Sequence, residues 1–224
     1  MRSVCTAVLV LFAAVPQGFA QYRGRSGPGT GNPDEHRAPW KFLQSDVLLH
    51  ERPVTLVWIP ASLEQVEPSR LMTSDVMRVA ATRCVDLEIV LPERAALVRK
   101  LGAEGKVPTA VIVDRKGEVV RRVENVHGVL AAEAIERMLS DDLAAHDEAM
   151  YRAMRDASQQ ANAGNKAAAI ELYKKTWDDR CLFPLAGSEA QRALKTLGVT
   201  VTEPPPTSAV DPQLQAPPKT QTAH

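Results

Sequence analysis

The chain has 224 residues, with 27 lysines and arginines balanced by 27 aspartates and glutamates, so its formal net charge is zero. This balance gives no reason to expect nucleic acid or an acidic membrane surface as a partner. Hydrophobic residues make up 45% of the chain, an ordinary share for a globular protein. The length fits one domain with an appendage.

The first 20 residues have the pattern of a secretory signal peptide. Arg2 supplies positive charge, residues 8–15 are apolar, and residues 18–20 (Gly, Phe, Ala) place small side chains at a cleavage position. We therefore expect a periplasmic or secreted protein with no integral membrane segment after cleavage. An uncleaved signal, the alternative, would leave the chain anchored in a membrane. Residues 21–38 are rich in glycine and proline and predict a flexible linker.

Strands and helices alternate along residues 39–145. β-branched residues at 54–59 predict a first strand, and apolar runs at 85–90 and 110–113 predict two more. Apolar residues between positions 40 and 49 have the spacing of an amphipathic helix leading into the first strand. The helix between the first two strands has three good N-cap candidates, Thr73, Ser74 and Asp75.

The connections between these strands determine how they pair. Strands joined by a helical crossover pair in parallel, because a tight turn cannot span that length. The short turn at 114–117 ends in Gly117 and predicts an antiparallel hairpin between residues 110–113 and 118–123. We predict an α/β fold, with a mixed sheet and flanking helices, followed by a C-terminal α-helical module.

This C-terminal module, residues 146–200, is alanine-rich. The predicted helices span residues 151–161, 165–177 and 188–197. The spacing of Gly164, Ala169 and Tyr173 weakly resembles one helical hairpin of the tetratricopeptide type. A peptide-binding repeat and a helical appendage packed on the main domain both agree with this pattern. Residues 201–224 are proline-rich and predict a disordered tail.

The order of elements in residues 39–145 resembles that of the thioredoxin family. The resemblance rests on the strand ending near Trp58, on Val107 and Pro108 before the third strand, and on the hairpin with Gly117. Such a proline in that family follows a cis peptide bond, which other residues adopt only at a cost of ~2.5–4 kcal/mol. The resemblance implies a thioredoxin-like sheet over about half of the chain.

The redox Cys-x-x-Cys pair of that family is missing. Aligning Trp58 with the family's strand-end tryptophan places Ser62 and Gln65 where the resemblance would put the two cysteines. Neither side chain can form or exchange a disulfide. Leu56 stands where the family has a buried acid. We therefore expect this fold without the family's catalysis, since a fold does not imply a function.

The resemblance implies a peptide-binding site in place of catalysis. The backbone before the family's cis-proline pairs with an extended peptide, and pairing by strand addition needs no cysteine. Val107 holds that place, and Ser62, Leu63, Gln65 and Pro108 would face the peptide. The predicted function is a non-catalytic binding or scaffold role with a protein or peptide partner. The sequence shows no zinc-type spacing, phosphate loop or nucleophile elbow, so no metal or cofactor is predicted.

The chain has three cysteines, Cys5, Cys84 and Cys181, and Cys5 would leave with the signal peptide. In an oxidising compartment Cys84 and Cys181 can form a disulfide between the main domain and the helical module, although two free thiols are the alternative. A second function, from another class, is a thiol-disulfide redox protein working through Cys84 or Cys181. Neither cysteine lies on the helix-start loop that activates the family's nucleophile.

Overall fold

The computed structural model describes residues 36–43 and 52–202. The predicted signal peptide, residues 21–35 of the predicted linker, and residues 203–224 of the predicted tail lie outside this part of the chain. Within the described ranges, no helix combines the length and the apolar composition needed to cross a membrane.

In the described part of the chain, five strands form one mixed sheet in the order β1-β3-β2-β4-β5. The strands are β1 (Lys41–Phe42), β2 (Val54–Ile59), β3 (Val85–Ile89), β4 (Thr109–Asp114) and β5 (Val119–Glu124). β3 pairs in parallel with β1 and β2, whereas β4 pairs antiparallel with β2 and β5. The predicted α/β architecture, a mixed sheet with flanking helices and a C-terminal helical region, is confirmed.

Among residues 36–43 and 52–202, five α-helices surround and extend the sheet. They are α1 (Asp75–Thr82), α2 (Ala95–Lys100), α3 (Ala132–Asn162), α4 (Lys166–Asp178) and α5 (Pro184–Thr196), and 3₁₀ helices occupy Leu63–Gln65 and Arg70–Thr73. Of the three N-cap candidates, Ser74 caps α1, because its hydroxyl oxygen accepts the N–H of Met77. α2 ends at Lys100, and Gly102, which follows the C-cap residue Leu101, has the φ of +63° that suits a glycine after a helix.

Three predictions about these elements are wrong. β3 and β4 are joined through helix α2 but do not pair in parallel, because β4 lies on the other side of β2 and runs antiparallel to it. Residues 41–42, predicted as part of a helix, form strand β1, because they pair with the edge of β3. Positions 44–49 of that predicted helix lie outside the described residues. The helix predicted at 151–161 is the second half of the continuous helix α3, so the predicted boundary at 145–146 lies inside one helix. No glycine or proline interrupts α3.

The sheet separates two apolar layers. Side chains alternate along β2, so Leu56 faces α1 and α3, while Val57 faces α2, and all six residues of β2 are buried. The first half of α3 contributes Ile135 and Leu139 to the layer with Leu56. This arrangement leaves the two ends of the strands, rather than the faces of the sheet, as the places where loops reach solvent.

A third apolar cluster joins the second half of α3 to α4 and α5. It includes Ala157, Tyr173 and Leu194. The segment between α4 and α5 connects this cluster to the sheet, because Leu182 and Phe183 are buried in the layer that also contains Leu56. The helical region is therefore packed directly against the sheet.

Candidate functional site

The loop before β4 is held from both sides by one side chain. The peptide bond between Val107 and Pro108 is cis. The side-chain amide of Asn125, just after β5, donates to the carbonyls of Lys106 and Pro108, each at 3.0 Å. Its Oδ1 accepts the N–H of Gly128 at 2.8 Å. Asn125 therefore joins the proline loop to the turn that follows β5.

The backbone of Val107 is open within this loop. In the part of the chain that the structure describes, neither its N–H nor its C=O has a hydrogen-bond partner. Backbone groups in folded proteins are almost always paired with protein or with water. The unpaired groups of Val107 are thus suited to pair with the backbone of an added strand.

A pocket of about 280 Å³ adjoins the proline loop. Gln65 and Pro108, which the sequence predicted to act together, both line it, together with Trp58 and Val129. None of its lining residues carries a charge. The pocket therefore suits an uncharged group better than an ionised one.

Two exposed valines form an apolar edge beside the pocket. Val126 and Val129 pair across a tight turn and are 69% and 70% exposed. His127 and Gly128 make the turn with φ values of +52° and +78°. Because the N–H of Gly128 bonds to Asn125, the turn and its two valines are fixed relative to the proline loop.

Ser62 and Gln65 each take part in local hydrogen bonds. The side-chain oxygen of Gln65 accepts the N–H of Ala61 at 2.9 Å, which closes the 3₁₀ helix. A hydrogen bond from the side chain of Ser62 lowers the pKa of the exposed Glu64 carboxyl. These two positions therefore stabilise the turn after β2 and supply no thiol.

Leu63 belongs to a different surface. It lines a second pocket of about 510 Å³ with Phe42, Leu43 and Leu91. Neither Ser62 nor Val107 lines either of these two pockets. Of the five residues predicted to face a peptide, the structure brings together Gln65 and Pro108, with Val107 next to them in the chain.

The opposite end of the sheet carries a disulfide. Cys84 directly precedes β3 and is bonded to Cys181, in the segment between α4 and α5, with 5.7 Å between the two Cα atoms. Val85 pairs with Val54 at the start of β2, whereas the proline loop lies near Ile59 at its end. The disulfide is therefore separated from the proline loop by the length of β2.

A buried carboxylate lies between these two ends, on β3. Glu88 is 6% exposed, and its Oε2 has no hydrogen-bond partner among the described residues. The pKa of Glu88 is raised to about 6, mainly by burial and also by the neighbouring Asp86, while Lys41 acts in the opposite direction. Ionisation of Glu88 should make the stability of the sheet depend on pH, since the buried charged form is poorly solvated.

A second buried carboxylate joins β5 to α3. Asp142 is 3% exposed, accepts a hydrogen bond from Nε of Arg121 at 2.7 Å, and lies 3.3 Å from Nδ1 of His146. Burial raises the pKa of Asp142, but the bonds from His146 and Arg121 outweigh it, so that pKa lies below its ordinary value. The hydrogen bond with Asp142 raises the pKa of His146. This cluster fixes the hairpin onto the helix.

Among the residues at 36–43 and 52–202, no group of three His, Cys, Asp or Glu side chains is placed to hold a metal ion. Comparison with family models, curated proteins and solved structures gives no match for this chain. The function of the proline loop is therefore inferred from its own geometry.

Proposed function

We propose that this chain is an exported, non-catalytic binding protein whose thioredoxin-like domain holds an extended peptide at the proline loop. The unpaired N–H and C=O of Val107 carry the proposal. A peptide strand that pairs with Val107 gains backbone hydrogen bonds without any reactive side chain.

The surroundings of Val107 favour a peptide segment with apolar side chains. The neighbouring pocket has an uncharged lining, and Val126 and Val129 add exposed apolar surface beside it. Strand addition gives affinity through the backbone, while pockets for alternate side chains give specificity. The occupant is therefore an extended, apolar segment of another protein, such as an unfolded or partly folded chain.

The test uses reduced, carboxymethylated α-lactalbumin as an unfolded polypeptide probe. Titration into isotope-labelled protein should shift the backbone amide signals of Val107, Gly128 and Val129. A variant with Val126→Ser and Val129→Ser should bind this probe at least several-fold more weakly, because both substitutions remove apolar contact area.

The control for this experiment is Val120→Ser. Val120 lies on β5 and is another exposed valine, 47% exposed, but it does not line the pocket. Its substitution should leave the affinity unchanged. Equal weakening by both variants, or no signal change at Val107, would refute the proposed site.

The second candidate is a thiol-disulfide redox protein working through Cys84 and Cys181, and the disulfide between them is the observation in its favour. Insulin with a dithiol donor distinguishes the two functions. We expect turnover far below that of a thioredoxin, because Ser62 and Gln65 supply no thiol at the proline loop and the Cys84–Cys181 pair lies at the opposite end of the sheet. Turnover like that of a thioredoxin would favour the redox function.

A further inference from the structure

We propose that the Cys84–Cys181 disulfide exchanges with dithiols, and that Cys84 is the leaving thiolate because Arg52 stabilises it. The two sulfurs have different surroundings. Nη1 of Arg52 donates to Sγ of Cys84 at 3.1 Å. A guanidinium group at this distance favours the thiolate over the thiol.

The two arginines that precede the cysteines in the chain make their contacts with other groups. Arg83 precedes Cys84, but its Nε donates to the carbonyl of Leu182 at 2.8 Å, and its guanidinium lies 5.0 Å from the centre of the Phe183 ring. Among the described side chains, no hydrogen-bond donor reaches Sγ of Cys181.

Arg180, which precedes Cys181, is also turned away from the sulfur. Its guanidinium lies 4.4 Å from the centre of the Trp177 ring, and its Nη1 donates to the carbonyl of Trp177 at 3.0 Å. Cys84 is thus the better leaving group of the pair, since a thiol with a more stable thiolate leaves faster.

The exposure of the two cysteines and the backbone of Cys84 also bear on the exchange. Both cysteines are only half-buried. Cys84 has a φ of +59°, a left-handed conformation that side chains with a Cβ adopt at a cost. Such conformations persist where the surrounding structure enforces them, and they are concentrated at functional sites.

The surrounding contacts hold the two cysteines together when the bond is open. Leu182 and Phe183 are 0% and 6% exposed and pack into the layer beneath the sheet. The hydrogen bond from Arg83 to Leu182 crosses the same boundary. Because none of these contacts requires the disulfide, reduction leaves the thiols close to each other and the bond can form again.

The exchange consists of two successive displacements at sulfur. A thiolate of the dithiol attacks Sγ of Cys181, the bond between the two protein sulfurs breaks, and its electron pair leaves on Sγ of Cys84 beside Arg52. The second thiol of the donor, once deprotonated, then displaces Cys181, which takes up a proton. Two electrons pass to the protein, and the donor becomes a disulfide. Of the donor's two protons, one is taken up by Cys181 and the other is released to solvent, because Cys84 remains a thiolate.

The first test traps the intermediate with a monothiol. Oxidised full-length protein is incubated with glutathione near neutral pH, quenched with an alkylating reagent and mapped by mass spectrometry. We expect glutathione on Cys181 and the alkyl group on Cys84. Glutathione found mainly on Cys84 would overturn the assignment of the leaving group.

The second test measures the rate of reduction by dithiothreitol under native conditions. Arg52→Gln should slow it ~3–10-fold, because the leaving thiolate loses its charged donor, and Arg52→Lys should restore most of the rate. Lys41→Gln is the matched control, since Lys41 and Arg52 lie 3.8 and 4.0 Å from the same oxygen of Asp86. Equal slowing by Arg52→Gln and Lys41→Gln, or reduction only in denaturant, would overturn the proposal.

Discussion

The two ends of the sheet perform different tasks with the same kind of element, a loop attached to a strand end. At the end of β2 the proline loop has no thiol and is fixed by the amide of Asn125, which leaves the backbone of Val107 unpaired. At the opposite end, where β2 and β3 begin, the Cys84–Cys181 disulfide links β3 covalently to the segment between α4 and α5. One end therefore suits reversible binding, and the other joins two parts of the fold.

The largest expected effect is at the disulfide end. A variant with Cys84→Ala and Cys181→Ala should lower the free energy of unfolding by about 4–5 kcal/mol, because the bond closes a loop with a sequence separation of 97 residues in the unfolded chain. Urea unfolding followed by circular dichroism measures this loss. Wild-type protein kept reduced is the control and should lose a similar amount. A loss below about 1 kcal/mol would show that the bond contributes little.

At the proline end, Asn125→Ala should lower the free energy of unfolding by about 1–3 kcal/mol, because three hydrogen bonds disappear. It should also broaden the amide signal of Val107 in nuclear magnetic resonance spectra. Asn165→Ala is the control, since the Asn165 side chain donates one hydrogen bond, to Gln160, on an exposed turn. If the two variants lose the same stability, Asn125 does not fix the loop.

Between the two ends, Glu88→Gln should raise the free energy of unfolding by about 1–2 kcal/mol above pH 6. The pKa of Glu88 is about 6 in the folded chain against an ordinary 4.5, so the folded state binds more protons between these values. Wild-type stability should therefore fall as the pH rises through this window, and the variant should not show that fall. Chemical unfolding at a series of pH values measures it, with the exposed Glu118→Gln as control.

The smallest effect concerns the cluster between β5 and α3. The pKa of His146 is raised in the folded chain, so its contribution to stability is present below its ordinary pKa of 6.5 and is lost as the pH rises through the folded value. The difference in unfolding free energy between wild type and His146→Gln should therefore narrow above that pKa. Because the side chain of His146 is 42% exposed, this difference should stay below about 1 kcal/mol. An equal difference at low and high pH would rule out this titration.

The sequence predicted the elements whose signals are local. β2, β3 and the β4–β5 hairpin follow from β-branched runs and from a turn ending in Gly117. The N-cap of α1 was predicted to within three residues, among which the structure selects Ser74. β1 has only two residues, so it has no periodicity to detect, and it exists because β3 has a free edge. The lack of glycine and proline in residues 132–162 could have predicted that α3 is one continuous helix.

The candidate site was harder to predict from the sequence than the strands were. Pro108 and Gln65 follow from the resemblance to the thioredoxin family, but the role of Asn125 depends on a fold that brings the end of β5 to the proline loop. An asparagine three residues before a glycine is a signal for a turn, and it could have indicated the bond to Gly128. The contact of Arg52 with Cys84 has no sequence signal, since the two residues are 32 positions apart.

Helix α3 has 31 residues, which corresponds to a length of about 46 Å. Its first half is buried against the sheet through Ile135 and Leu139, and its second half against α4 through Ala157. A chain cut in the middle of this helix would leave each fragment with half of an apolar stripe facing water. We therefore expect the sheet and the helical region to lose hydrogen-exchange protection together, as one cooperative unit.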